Sequence, residues 1–151
     1  MNNLEEKILS FDNWPKPWTF REFITNDKAL NENELNLLDK NWALLSNAGG
    51  YLGFNTCYYI SYPDIGLKVR GKFPVKIETA DENFILIKSE SNISASKNLS
   101  GFHFYGPDLC LISSILGYSN YAIEYNVLHK SRGKHDDFFW KSERNFKLKY
   151  A

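Results

Sequence analysis

Gly66–Glu78 reads GLKVRGKFPVKIE. Leu67, Val69, Gly71, Phe73, Val75 and Ile77 alternate with Lys68, Arg70, Lys72, Pro74, Lys76 and Glu78. Successive strand side chains face opposite sides, so the period of two predicts a strand with one buried face and one basic, wet face. Pro74 has no amide hydrogen and belongs at an edge or a bulge. Upstream, Leu52, Phe54, Thr56, Tyr58, Ile60 and Tyr62 alternate with smaller or polar residues. Pro63-Asp64 is too short a connection for anything but an antiparallel hairpin.

Downstream, Phe84–Lys88 and Phe102–Tyr105 read as further strands around a polar loop, Ser89–Ser100. Asp108 is placed to cap a helix ending at Gly117, with a strand as the alternative that the Leu109/Leu111 alternation allows. Tyr121–Lys130 alternates again, and a closing strand takes Phe138, Trp140, Phe146, Leu148 and Tyr150 into one register. Arg144 breaks that register, which calls for a phase reset near Ser142–Asn145 or a carboxylate partner.

The first third has a different period. Short helices are predicted over residues 4–10 and 20–25, the second with capping-box spacing between Thr19 and Glu22. Phe11–Trp18, with Pro15 and Pro17, cannot be regular structure. Leu35, Leu38, Trp42 and Leu45 predict a longer helix over residues 34–46, with Gly49-Gly50 as its stop. The expected fold class is α+β: one domain, 1–151, helical to residue 50 and mainly β from 51. Its N-terminal helices would pack on a mostly antiparallel sheet of about five or six strands.

Hydrophobic residues make up 43% of the chain and aromatics 16%, which excludes disorder. The formal net charge is zero, so no global field draws in nucleic acid or an anionic surface. Residues 1–45 nevertheless hold eight acids against five bases, and residues 121–151 seven bases against four acids. Two cysteines, Cys57 and Cys110, are too few for a disulfide framework. The start of the chain does not read as a signal peptide, and its apolar runs are too short to span a bilayer. The expected setting is cytoplasmic and soluble, without a membrane partner.

Three places could carry function. His129, His135 and His103, with Lys134 or Arg132 for a phosphate, have the side chains of a metal-independent ribonuclease. His129, His135, Asp136 and Asp137 are metal-ligand types, but no zinc signature accompanies them, and neither metal nor cofactor is expected. Lys68, Arg70, Lys72 and Lys76 would form a basic ridge which, beside tyrosines such as Tyr59, Tyr62 and Tyr105, suits single-stranded nucleic acid. Trp14 and Trp18, with the acids Glu32, Glu34 and Asp39, make the third surface, a protein-binding one. No dinucleotide fingerprint, P-loop or nucleophile elbow is present, and no family signature is recognised. The leading expectation is therefore a non-catalytic protein-binding domain. Its concrete form is an immunity- or antitoxin-type inhibitor of a basic toxin or nuclease. The alternatives are an RNA-acting enzyme and a single-strand binder.

Overall fold

The computed structural model describes residues 39–53, 55–99, 103–130 and 135–151. Its centre is a strand that the periodicity reads as helix. β1, Trp42–Ser46, is buried at all five positions. It lies between β8 (Ser119–Ala122), which runs parallel to it, and β7 (Ile85–Ile87), which runs antiparallel. A strand covered on both faces needs no alternation, only a short apolar run, and periodicity cannot separate such a run from a helix.

β5 (Val75–Lys76) completes this sheet in the order β5-β8-β1-β7. The second sheet has the order β4-β3-β2-β6. It contains β2 (Ala48–Tyr51), β3 (Asn55–Tyr62), β4 (Gly66–Arg70) and β6 (Thr79–Ala80). β9 (Val127–Leu128) pairs parallel with β3 as its fifth strand. The described chain passes between the sheets five times. The first passage needs one residue, Asn47, whose side-chain Nδ2 donates to the Tyr59 carbonyl at 3.0 Å and whose own carbonyl accepts from the Tyr59 amide at 2.8 Å.

Gly66–Glu78 is another passage, not one strand. The expected hairpin forms, with Tyr58 opposite Arg70 and Ile60 opposite Lys68. The strand then stops at Arg70: Gly71 takes φ 112, and the Phe73–Pro74 peptide is cis. Val75 and Lys76 join the other sheet. The buried face expected for this stretch is corrected in β4, an edge strand exposed at every position, with Leu67 46% and Val69 50% accessible. Lys68 and Arg70 are the kind of charges that discourage pairing with a further strand.

α1, Tyr105–Ile115, follows a left-handed Phe104 and sends Leu109 and Cys110 into a core with Ala43, Leu44, Ile77, Ala80 and Ala122. It starts three residues before Asp108, so that side chain is a first-turn residue rather than the cap. Gly117, at φ 85, follows its last turn. A Cβ on Gly106 would collide with the Ala80 carbonyl oxygen. Gly106→Ala gains helix propensity, about 1 kcal/mol. Backbone oxygen cannot swing aside, so overpacking of about 1–3 kcal/mol should win. A lower midpoint in urea unfolding is the expected result, and a higher one would show that the helix shifts freely.

α2, Asp137–Lys149, replaces the expected closing strand. Asp136 caps it, accepting from the Phe139 amide at 3.0 Å. The puzzle of Arg144 disappears, because at 3.6 residues per turn it takes the solvent side.

The α+β expectation is thus overturned. The described residues are mostly β, in sheets of four and five strands, and both helices lie in the second half of the chain. The helix expected over 34–46 is a strand from Trp42 onward, so the division into a helical part to residue 50 and a β part also fails. The helices expected over 4–10 and 20–25, and Phe11–Trp18, lie outside the described residues.

Candidate functional site

A cleft of about 840 Å³ opens over one face of the five-stranded sheet. β3 puts Tyr58, Ile60 and Tyr62 on this face by alternation, and Lys68 joins them from β4 opposite Ile60. Gly49 and Gly50 supply the floor. A Cβ on Gly49 would run into the Thr79 carbonyl, so the Gly-Gly pair serves close strand packing rather than ending a helix. The Gly50 amide donates to Thr79 Oγ1 at 3.1 Å. These glycines continue from the carboxyl end of β1.

Asp81 and Glu82 close the cleft. Asp81 is exposed and turns the chain by accepting from the Asn83 amide at 3.0 Å. Glu82 is half-buried, and its Oε1 accepts from the Gly106 amide at 3.2 Å at the start of α1. Tyr105 donates its hydroxyl to the Glu82 carbonyl at 3.1 Å. Burial pushes the Glu82 carboxyl above the usual range, and the neighbouring Asp81 charge adds to this against the Gly106 hydrogen bond. A carboxyl raised in this way is a better base when ionised and stays protonated to higher pH.

A second polar cluster lies beneath α1. Asp108 is fully buried. It accepts from the Ser96 amide at 2.7 Å and from Ser96 Oγ at 2.9 Å, and it also receives Lys149 Nζ and the Tyr150 hydroxyl. Burial opposes the charge, yet the bonds from Lys149, Tyr150 and Ser96 together hold the carboxyl below its usual range. The cluster ties α1 and the 92–98 loop to the end of α2.

The expected site residues are scattered. His103 and His135 both pack on Phe139, with ring centroids 5.3 and 4.3 Å away, whereas His129 packs on Tyr62 at 5.8 Å. The three imidazoles therefore do not share one centre, and Arg132 and Lys134 lie outside the described residues. Among the described residues no group of three His, Cys, Asp or Glu side chains is gathered around a point that could hold a metal. The basic ridge is divided: Lys68 and Arg70 stand on β4, Lys72 follows Gly71, and Lys76 belongs to the other sheet opposite Tyr121. Of the expected tyrosines Tyr62 lies on the cleft face, joined by Tyr58 and not by Tyr59, whose ring meets Phe73 edge-on at 5.9 Å.

Asp39 is half-buried and engaged, accepting from the Asn41 amide at 2.8 Å and the Tyr121 hydroxyl at 3.0 Å. Trp14, Trp18, Glu32 and Glu34 lie outside the described residues. Cys57 and Cys110 are both free and buried; burial raises the Cys57 thiol and pushes that of Cys110 up to about 12, so neither is a nucleophile at neutral pH.

Sequence reasoning missed Asp81, Glu82 and Asp108. For Asp108 a signal existed: a lone acid inside YGPDLCL must be either exposed or paired.

No family model matches the chain. It is similar to the protein named "ATP synthase subunits region ORF 6" from Fuscovulum blasticum, at 36% identity over 81 residues, which is 54% of this chain and 32% of that protein. The chain spans about a third of the length of that curated relative. The relative's name describes a reading frame and states no activity. Among the described residues, no helix is long and apolar enough to cross a membrane.

Proposed function

We propose that the chain is a cytoplasmic protein that binds a hydroxyl-rich small molecule of the saccharide class in the cleft, with Glu82 exchanging a proton with one of its hydroxyls. The observation behind this reading is the meeting, in one cleft of about 840 Å³, of Tyr58 and Tyr62 with the acceptors Asp81 and Glu82. Ligand clefts commonly have about 300–1,000 Å³. A sugar offers apolar C–H faces for aromatic rings and hydroxyl donors for carboxylates, and carries no charge for those carboxylates to repel. A raised carboxyl suits general acid–base chemistry at a hydroxyl.

The test is saturation-transfer NMR with a panel of mono- and disaccharides. One class should receive saturation, and Tyr58→Ala or Asp81→Asn should weaken it by about tenfold, equivalent to about 1.4 kcal/mol. Silence across the panel, or binding indifferent to both substitutions, rejects the reading.

A second reading has one specific support: Lys68 and Arg70 stand opposite Ile60 and Tyr58, on the tyrosine-bearing face. Bases and rings on one sheet face suit single-stranded nucleic acid, and oligonucleotide affinity would then fall steeply with salt. Asp81 and Glu82 beside the same face count against phosphate. The inhibitor of a toxin or nuclease ranks below both. Of its five residues, only Asp39 lies among those described, and its carboxylate is already engaged.

A further inference from the structure

We propose that the outward side of α2 docks on an anionic membrane surface. The helix is tethered from within. Phe139 and Phe146 lie 5.2 and 5.5 Å from the Phe104 ring, Ser142 is buried, and Lys149 and Tyr150 reach Asp108. The exposed residues of α2 are Asp137, Phe138, Trp140, Lys141, Arg144, Lys147 and Leu148. Three are large and apolar, three are cations and one is an acid.

Phe138 is 64% accessible, Trp140 53% and Leu148 71%, unusual exposure for such side chains in a helix whose inner side is already anchored. Trp140, Glu143, Arg144, Lys147 and Leu148 also line one hollow of about 400 Å³ along this side. Acids lie on this side too: Glu143 is half-buried and paired with Lys147 at 2.9 Å, Asp136 caps the helix and Asp137 is exposed in its first turn, so Lys141 and Arg144 are the cations this side offers to a partner.

Apolar rings interleaved with long cationic stems match a surface that is anionic outside and apolar just beneath. Trp settles at headgroup depth, and Lys and Arg reach up to the phosphates. Other occupants match less well. A second copy related by a two-fold axis would set these cations against themselves. A nucleic acid would leave Phe138 and Leu148 without a role. The helix would lie on the surface, not cross it: at 13 residues it is far too short to span. The expectation of no membrane partner rested on the absence of a spanning segment and on a net charge of zero; this face needs no spanning segment and acts as a local patch, not through a global field.

The experiment is cosedimentation of the full chain with phosphatidylcholine vesicles containing about 30% phosphatidylglycerol, against vesicles of phosphatidylcholine alone. The anionic vesicles should carry the protein down and the neutral ones should not, with binding weakened as salt screens the charges. Lys141→Glu with Arg144→Glu should reduce binding by at least about tenfold, and so should Trp140→Ser with Leu148→Ser. All four positions are exposed, so thermal melting should be unchanged. Equal pelleting with both vesicle types, no pelleting at low salt, or full binding by both variants overturns the proposal. A dimer in solution that either variant abolishes also overturns it, in favour of a second copy. Saccharide binding should survive in both variants, which separates failure here from failure of the cleft.

Discussion

Asp108→Ala is expected to destabilise the protein by about 3–5 kcal/mol, the usual cost of breaking a buried ion pair from one side. The carboxylate has no solvent exposure, and the donors around it were placed for a negative charge. Without it, Lys149 Nζ and the Tyr150 hydroxyl keep a partly desolvated position and lose their acceptor. Asp108→Asn keeps the shape but not the charge and should fall between. Asp108→Ala with Lys149→Met removes the stranded cation and should recover part of the loss.

The pH dependence has a definite sign. The folded Asp108 carboxyl lies below its usual range, so its contribution is present above the unfolded value, about 3.9, and is lost as pH falls through the folded one. Burial opposes the Lys149 charge, but the bond to Asp108 leaves its ammonium above the ordinary range. That contribution is complete below about pH 10.4 and lost as pH rises through the folded value. The contribution of this pair, read as the difference in urea unfolding between the parent and Asp108→Ala, should therefore be constant between about pH 4 and pH 10 and should shrink on the acid side. An alanine variant as stable as the parent would mean that α2 is not held by this cluster.

Glu82→Gln should leave the saccharide found by NMR bound while removing the pH dependence that ionisation of Glu82 gives its binding, because glutamine keeps the Oε1 acceptor for Gly106 but cannot exchange a proton. The same substitution should raise stability at neutral pH. Burial lifts the folded carboxyl above its unfolded value, about 4.3. A raised carboxyl contributes stability below its unfolded value and loses it as pH rises through the folded one. At neutral pH the native protein thus bears the cost of a half-buried charge that glutamine lacks, and the two proteins should converge near pH 4. Sites that trade stability for activity behave this way. An unchanged pH dependence of binding, or a less stable glutamine variant, would remove Glu82 from this role.

The hairpin was legible because Tyr58–Tyr62 and Gly66–Arg70 alternate around an obvious turn. The helix from Tyr105 was legible only in part: Tyr105 reads as the end of a strand, and the Leu109/Leu111 alternation leaves the stretch up to Gly117 open between helix and strand. β1 was not, because a strand buried on both faces carries no period of two, and Leu38, Trp42 and Leu45 happen to fall at helical spacing. α2 was misread for the converse reason. Its apolar residues lie on both sides, inward at Phe139 and Phe146 and outward at Trp140 and Leu148, and this blurs its stripe enough to look like alternation. The cleft was hidden because it is built from remote pieces: Gly49, Tyr58 and Glu82 meet only once the strand order is known. The histidine cluster attracted notice through local density, which says nothing of convergence.

The chain's passage back and forth between its sheets governs how the protein can be made. Trp42 waits for Ser119, 77 positions later, before β1 has its parallel neighbour. The five-stranded sheet likewise lacks β9 until Leu128 has been synthesised. The four-stranded sheet is complete only at Ala122 and the five-stranded one only at Leu128. A chain of such remote pairings closes slowly, and its most apolar strand stays uncovered for most of translation.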